Sequence, residues 1–256
     1  MAINYFVQYP CRVRALASDR DLLRMKKARR AARASIRIAL RDPNFTTDMA
    51  DFEYATEAQL LERNTAFPLH AEIADLLAEA APLDALSKHC QNCPANLRGT
   101  AFGCGGAIDD PITKETQRWL VSRLPDDLDT EAGQTLLSTL KDLHLDGIGA
   151  EATRLRNAIH TAKQPVSRTW GRFWRKKTRI SSSQVLHMLI GEGPLSPMHT
   201  QIVCRLLGFL NDELKPEFRI DNFAAASDTP GIIQFKLFLA AATFAGSNNH
   251  HLFVEA

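Results

Sequence analysis

Leu22, Met25, Ala28, Ala32, Ile36, Ala39 and Leu40 recur three and four residues apart. That spacing lays one apolar stripe along a helix, and Asp42-Pro43 supplies the stop because the residue before proline is pushed out of the helical region. Ahead of this helix, Tyr5 to Val13 alternates and is β-prone around Pro10, which reads as an edge strand since proline donates nothing to a central ladder. Residues 43–56 lack a period and read as a loop, followed by short helices over Thr56 to Arg63, Pro68 to Ala80 and Leu83 to Lys88. Thr113 with Thr116 caps a helix through Trp119 to Leu124 that Pro125 ends. Asp129 to Leu145 and Ala150 to His160 form a helical pair joined at Gly147-Ile148-Gly149.

Further on, Gln164 to Ile180 mixes aromatic, β-branched and cationic residues and suits a hairpin or an exposed loop equally. Ser181-Ser-Ser-Gln184 starts a helix over Val185 to Ile190. Ser196-Pro197 starts a stronger one to about Leu214, with serine at the cap and proline in the first turn. Asp228-Thr229-Pro230 opens an apolar helix to about Phe244 that Gly246-Ser-Asn-Asn ends, and Leu252 to Val254 reads as a last strand able to pair with the N-terminal one. The expected fold is therefore mostly α (α+β): a helical core and a small minor sheet formed by the chain termini. Residues 89–111 form an irregular Cys/Gly-rich loop, since four glycines and two prolines leave no period there. The chain reads as a single domain over 1–256, divisible into two sub-lobes, 1–163 and 164–256.

A hydrophobic content of 45% over 256 residues is enough for a substantial core. The longest apolar run, Phe238 to Ala245, falls far short of the roughly 18 residues a membrane span needs. The start, Met1-Ala-Ile-Asn-Tyr-Phe, has no signal-peptide pattern, so cytoplasmic residence is the expectation. The net charge of +2 conceals segregation: residues 12–41 carry eleven Arg or Lys against Asp19 and Asp21, and residues 168–179 carry six with no acid.

Of five cysteines, Cys90, Cys93 and Cys104 crowd together, while Cys11 and Cys204 stand apart and suit small buried apolar groups. A two-residue gap lets two thiolates reach one ion from a tight turn, and glycines flanking Cys104 allow close backbone approach. Zinc, held by Cys90, Cys93 and Cys104, is the expected cofactor, and it would order a loop that has no regular period of its own. The fourth ligand is open among His89, Cys204, Cys11 and His199; His89 is strained as a neighbour of Cys90, and His199 and Cys204 are five apart on one helix. An iron–sulfur cluster is the alternative, although ferredoxin spacings are absent.

His70-Ala-Glu72 followed by Cys90-x-x-Cys93 resembles the histidine, glutamate and paired-cysteine signature of zinc nucleobase deaminases. The resemblance covers these few residues and implies a zinc-activated water with Glu72 as proton shuttle. It departs from the pattern at His89, where proline should precede the first cysteine. No serine-hydrolase elbow, zinc-protease helix motif, phosphate loop or dinucleotide fingerprint occurs.

On a helical wheel Lys26, Lys27, Arg30, Arg33, Arg37 and Arg41 share one arc beside the apolar stripe. Arg168, Trp170, Arg172, Trp174, Arg175, Lys176, Lys177 and Arg179 interleave aromatics with cations, a pattern suited to phosphate binding and base stacking. Solvated faces pairing with acids elsewhere would produce the same pattern, and a pI near 8.3 is modest for a dedicated nucleic-acid domain. The expected function is binding or regulation by a metal-containing cytoplasmic protein whose basic surface meets an anionic partner, either nucleic acid or acidic protein. A zinc-dependent hydrolase or deaminase and an iron–sulfur redox protein are the alternatives.

Overall fold

The computed structural model describes residues 2–39, 53–58, 67–109, 111–145, 165–170, 176–190, 194–216, 225 and 227–255. The chain is mostly helical and divides into two compact units, Met1–Tyr9 with Pro94–Ala256, and Pro10–Cys93. The boundaries fall at 9/10 and 93/94, because the N-terminal strand pairs with segments that follow Cys93.

In the first unit, β1 (Ala2–Val7) lies at the centre of a three-stranded antiparallel sheet between β4 (Gly105–Asp109) and β7 (Leu252–Glu255). Pairing of the chain ends agrees with the pattern of the sequence, but β1 is a central strand and not an edge. It stops at Val7, so Pro10 lies beyond the ladder and removes no hydrogen bond from it. The third strand comes from within the glycine-rich segment. Gly105 and Gly106 sit opposite Phe6 and Tyr5, and a Cβ on Gly105 would lie 2.5 Å from the Tyr5 carbonyl oxygen. Two glycines present no side-chain alternation, which is why residues 105–109 read as loop.

The sheet packs on α9 (Pro230–Ser247), which buries Ile232, Phe235, Phe238, Leu239 and Ala240 to Thr243. Tyr5 meets Phe238 edge-on, with ring centroids 5.1 Å apart. Of the other helices, α8 (Pro197–Leu206) and α5 (Lys114–Ser122) pack on α9, α7 (Ser182–Ile190) packs on α5 and α8, and α6 (Glu131–Asp142) packs on α8. Buried polar groups link several of these. Ser182 Oγ donates to Gln117 Oε1 at 2.6 Å, Gln117 Nε2 to the Ile112 carbonyl at 2.9 Å, and Gln184 Nε2 to the Leu145 carbonyl at 2.6 Å. The caps read at Thr113 and Ser196 are present, and Thr130 caps α6; each accepts from the N–H three residues on. Ser181 and Gln184 bond reciprocally as a capping box. The 164–180 segment forms a hairpin, β5 (Pro165–Trp170) with β6 (Lys176–Ser181).

One boundary differs. The helix from Pro197 ends at Leu206 and not near Leu214, because Gly208 takes φ +72°, and Gly208 N and Phe209 N close onto the Arg205 and Cys204 carbonyls at 3.0 and 2.7 Å. The same closure ends α6 at His144 and α9 at Asn249, both at positive φ.

The second unit holds α1 (Arg12–Leu16), α2 (Asp19–Ala39), a hairpin of β2 (Glu53–Ala58) with β3 (Phe67–Glu72), α3 (Ile73–Ala80) and α4 (Pro82–Ser87). In α2, Leu22, Leu23, Met25, Ala28 and Ala32 are buried, much as the apolar stripe predicts. Ser18 caps it, accepting from Asp21 N at 3.2 Å. Two expected helices give way to strands here. Thr56 to Arg63 overlaps β2, and the helix from Pro68 begins only at Ile73, since Phe67, Leu69 and Ala71 alternate in a strand period that Pro68 obscured as a helix start. The expected Ala150 to His160 helix, its Gly147 to Gly149 joint and the 43–52 part of the loop lie outside the described residues.

Candidate functional site

Cys90 and Cys93 follow α4 on consecutive turns: Cys90 N donates to the Ser87 carbonyl at 3.0 Å and Cys93 N to the Cys90 carbonyl at 3.3 Å. This tight turn is the local geometry two thiolates need to approach one ion. Cys90 is buried, and Cys93 and Cys104 are half-buried. Cys104 belongs to the other unit, where its carbonyl accepts from Val7 N at 3.0 Å beside the sheet. None of the five cysteines forms a disulfide. Within neither unit do three His, Cys, Asp or Glu side chains converge into a metal-holding group among the described residues.

The segment from Pro94 to Gly105 has order of its own, contrary to the premise that only a metal would supply it. Ala95 and Phe102 are buried, Gly99, Gly103 and Gly105 close turns onto the Asn96, Thr100 and Phe102 carbonyls, and Arg98 Nη2 donates to the Gly105 carbonyl. Successive three-residue turns and an arginine reaching seven residues along the chain give order without a helix or strand period.

The candidate fourth ligands are dispersed. His89 is exposed on the turn after α4. Cys11 occupies the N-cap of α1 without a side-chain cap bond. His199 Nε2 lies 2.6 Å from the Met188 carbonyl oxygen. Cys204 is fully buried, and burial pushes its thiol up to about 12, against a smaller opposing effect of the Thr243 hydrogen bond. A group so held is a protonated core thiol, not a ready thiolate. Glu72 ends β3 and His70 is paired in register with Ala55; their side chains lie outside the described residues.

The basic face is clearer. Along residues 19–36 of α2, the exposed positions are Arg20, Arg24, Lys27, Arg30 and Arg33, every one a cation. Lys26 is half-buried. Arg24 is partly neutralised by Glu79 at 3.0 Å and Asp21 at 3.6 Å. Arg29, outside the expected arc, is turned to the Ala80 carbonyl and Asp84 at 3.1 and 2.8 Å. Arg37 lies on α2 with its side chain outside the described residues, and Arg41 lies wholly outside them.

The second basic segment divides. Arg168 is 13% exposed; its Nε donates to the Pro125 carbonyl at 2.8 Å and its Nη2 pairs with Asp126 at 3.2 Å, so it serves the fold. Arg179 is exposed on β6. Trp170 faces Lys176 in the ladder register, and Lys177 follows on the same strand, but the side chains of all three lie outside the described residues. Arg172, Trp174 and Arg175 lie wholly outside them.

Sequence reasoning missed a cleft of about 400 Å³ lined by Leu145, His187, Met188, Leu195, Ser196 and His199 among others, formed where the start of α8 meets α7. Its two histidines are twelve residues apart on different helices, so no spacing rule points to them. No described helix is long and apolar enough to cross a membrane. Comparison of the chain with protein-family models, with curated proteins and with solved structures finds no match.

Proposed function

We propose that this is a binding protein that captures an anionic macromolecule through the cationic face of α2. One observation carries the reading: every exposed position over residues 19–36 is Arg or Lys, while the opposite side of the helix is buried. A face on which cations so outnumber acids repels itself, and an anionic partner relieves that repulsion and gains charge-assisted hydrogen bonds. The test is salt elution from immobilised heparin. The native chain should elute at clearly higher salt than a Lys27→Glu, Arg30→Glu, Arg33→Glu variant with the same circular dichroism spectrum; co-elution would refute the reading.

Zinc held by Cys90, Cys93 and Cys104 in a reducing, cytoplasmic setting remains part of the proposal, supported by the two-residue spacing and the turn that Cys90 and Cys93 share. Metal analysis with an absorption spectrum decides it. About one zinc per chain without a visible band supports the site, a band bleached by reductant points to iron and sulfide, and a metal-free chain removes it.

A further inference from the structure

We infer that the partner is double-stranded DNA, gripped through its phosphates by α2 lying in the major groove; this rests on the binding reading of α2 above. The exposed cations follow one another at steps of four, three, three and three residues from Arg20 to Arg33. At 3.6 residues per turn, each step of three turns the side chain back by about 60°, so Lys27 and Arg33 are about 120° apart around the axis, and Arg20 and Arg33 about 140° apart and roughly 20 Å apart along it. The charge thus winds over more than a third of the circumference. A flat acidic protein surface would meet only one side of such a helix, whereas a groove has a charged wall on either side. B-DNA supplies walls of phosphate around a groove about 12 Å wide, which admits a helix. The deep, narrow major groove of duplex RNA does not.

What the face lacks points the same way. A protein interface takes most of its affinity from apolar and aromatic anchors, and no exposed residue of α2 over 19–36 is apolar. Single strands are held by stacking on aromatic rings, and Asp19–Ala39 contains no aromatic residue. Arg20, Lys27, Arg30 and Arg33 make up the contact set by their exposure, and Arg24 is held by Glu79. Contacts to phosphate carry no sequence information, so a grip made through the backbone is indifferent to sequence.

The test is fluorescence anisotropy of the full chain with a duplex DNA of about 20 base pairs, in parallel with the matching duplex RNA, the single strand and polyglutamate. The expected result is preferential binding of duplex DNA, equal for two unrelated sequences. Log affinity should fall against log salt with a slope of about −3 to −4, from about 0.9 per phosphate. The Lys27→Glu, Arg30→Glu, Arg33→Glu variant, with unchanged circular dichroism, should lose at least about a hundredfold. Tighter binding of polyglutamate, of the single strand or of duplex RNA would overturn the DNA assignment while leaving the binding reading of α2 standing. Failure to bind any of the four would overturn both.

Discussion

At the scale of single residues, Cys204 and Asp228 are shifted in opposite directions although burial pushes both up. Cys204 sits between α8 and α9 with no exposed surface, its thiol raised to about 12, whereas Cys11, Cys93 and Cys104 are half-buried. Under native conditions at pH 8, with a chelator present to strip metal from Cys93 and Cys104, a thiol alkylating agent should therefore modify those three and spare Cys204 until the protein is unfolded, as peptide mass mapping will read. Rapid native labelling of Cys204 would contradict the packing of α8 on α9. Asp228 differs in having compensation. Burial pushes its carboxyl up, but the Lys236 ammonium, the Ala225 N–H and the charge of Arg123 together outweigh that and hold it below the usual carboxylate range. A depressed folded value means stability that is complete above the unfolded value of about 3.9 and is lost as pH falls through the lower, folded one. The difference in melting temperature between the native chain and Asp228→Asn should accordingly be large near pH 7 and shrink toward zero at the acid end. A difference that persists unchanged in acid would mean that the ion pair contributes little.

At the scale of elements, two glycines test separate causes. Gly208 ends α8 at φ +72°, and a Cβ there meets nothing within 4 Å, so Gly208→Ala should cost only backbone strain, about 1 kcal/mol. A Cβ on Gly105 in β4 would collide with the Phe6 ring and lie 2.5 Å from the Tyr5 carbonyl oxygen, so Gly105→Ala must spread β1 from β4 and should cost more, about 2–3 kcal/mol. Urea unfolding of both variants ranks them; equal losses would show that β4 yields easily. The same pair marks what was legible in the sequence. Local signals with a local mechanism were readable: the caps at Thr113 and Ser196, the stop at Asn249 and the apolar stripe of α2. Features whose cause lies far along the chain were not. The glycines of β4 answer to side chains a hundred residues earlier, and Arg168 is diverted by carbonyls and an acid more than forty residues earlier. Of the candidate site, the cationic arc of α2 was readable because a helix wheel is local; the placement of Cys104 in a different unit from Cys90 and Cys93 was not.

At the scale of the whole molecule, the two units are stabilised in contrasting ways. The first packs its sheet and the helices α5 and α8 on the apolar α9, whose inner face is buried, so its stability rests on apolar burial. The second depends on α2, where like charges repeat three or four residues apart along the exposed face, a spacing at which each pair works against the helix by a few tenths of a kcal/mol. Summed from Arg20 to Arg33, and less the relief that Asp21 and Glu79 give Arg24, the repulsion is about 1 kcal/mol at low ionic strength. Salt near 0.15 M shortens the reach of charge to about 8 Å and should remove most of it. Hydrogen exchange at the amides of α2 should therefore slow about fivefold when salt is raised from about 0.01 M, while amides of α9 stay unchanged. Capture of a polyanion through the same face must weaken over the same range, because the partner's counterions are no longer released into dilute solution. Free-state stability and partner affinity thus move in opposite directions with one variable. If exchange in α2 is indifferent to salt while affinity still falls, the cations are too far apart to repel and the cost assigned to this face is wrong. If both are indifferent, the face is not an electrostatic site.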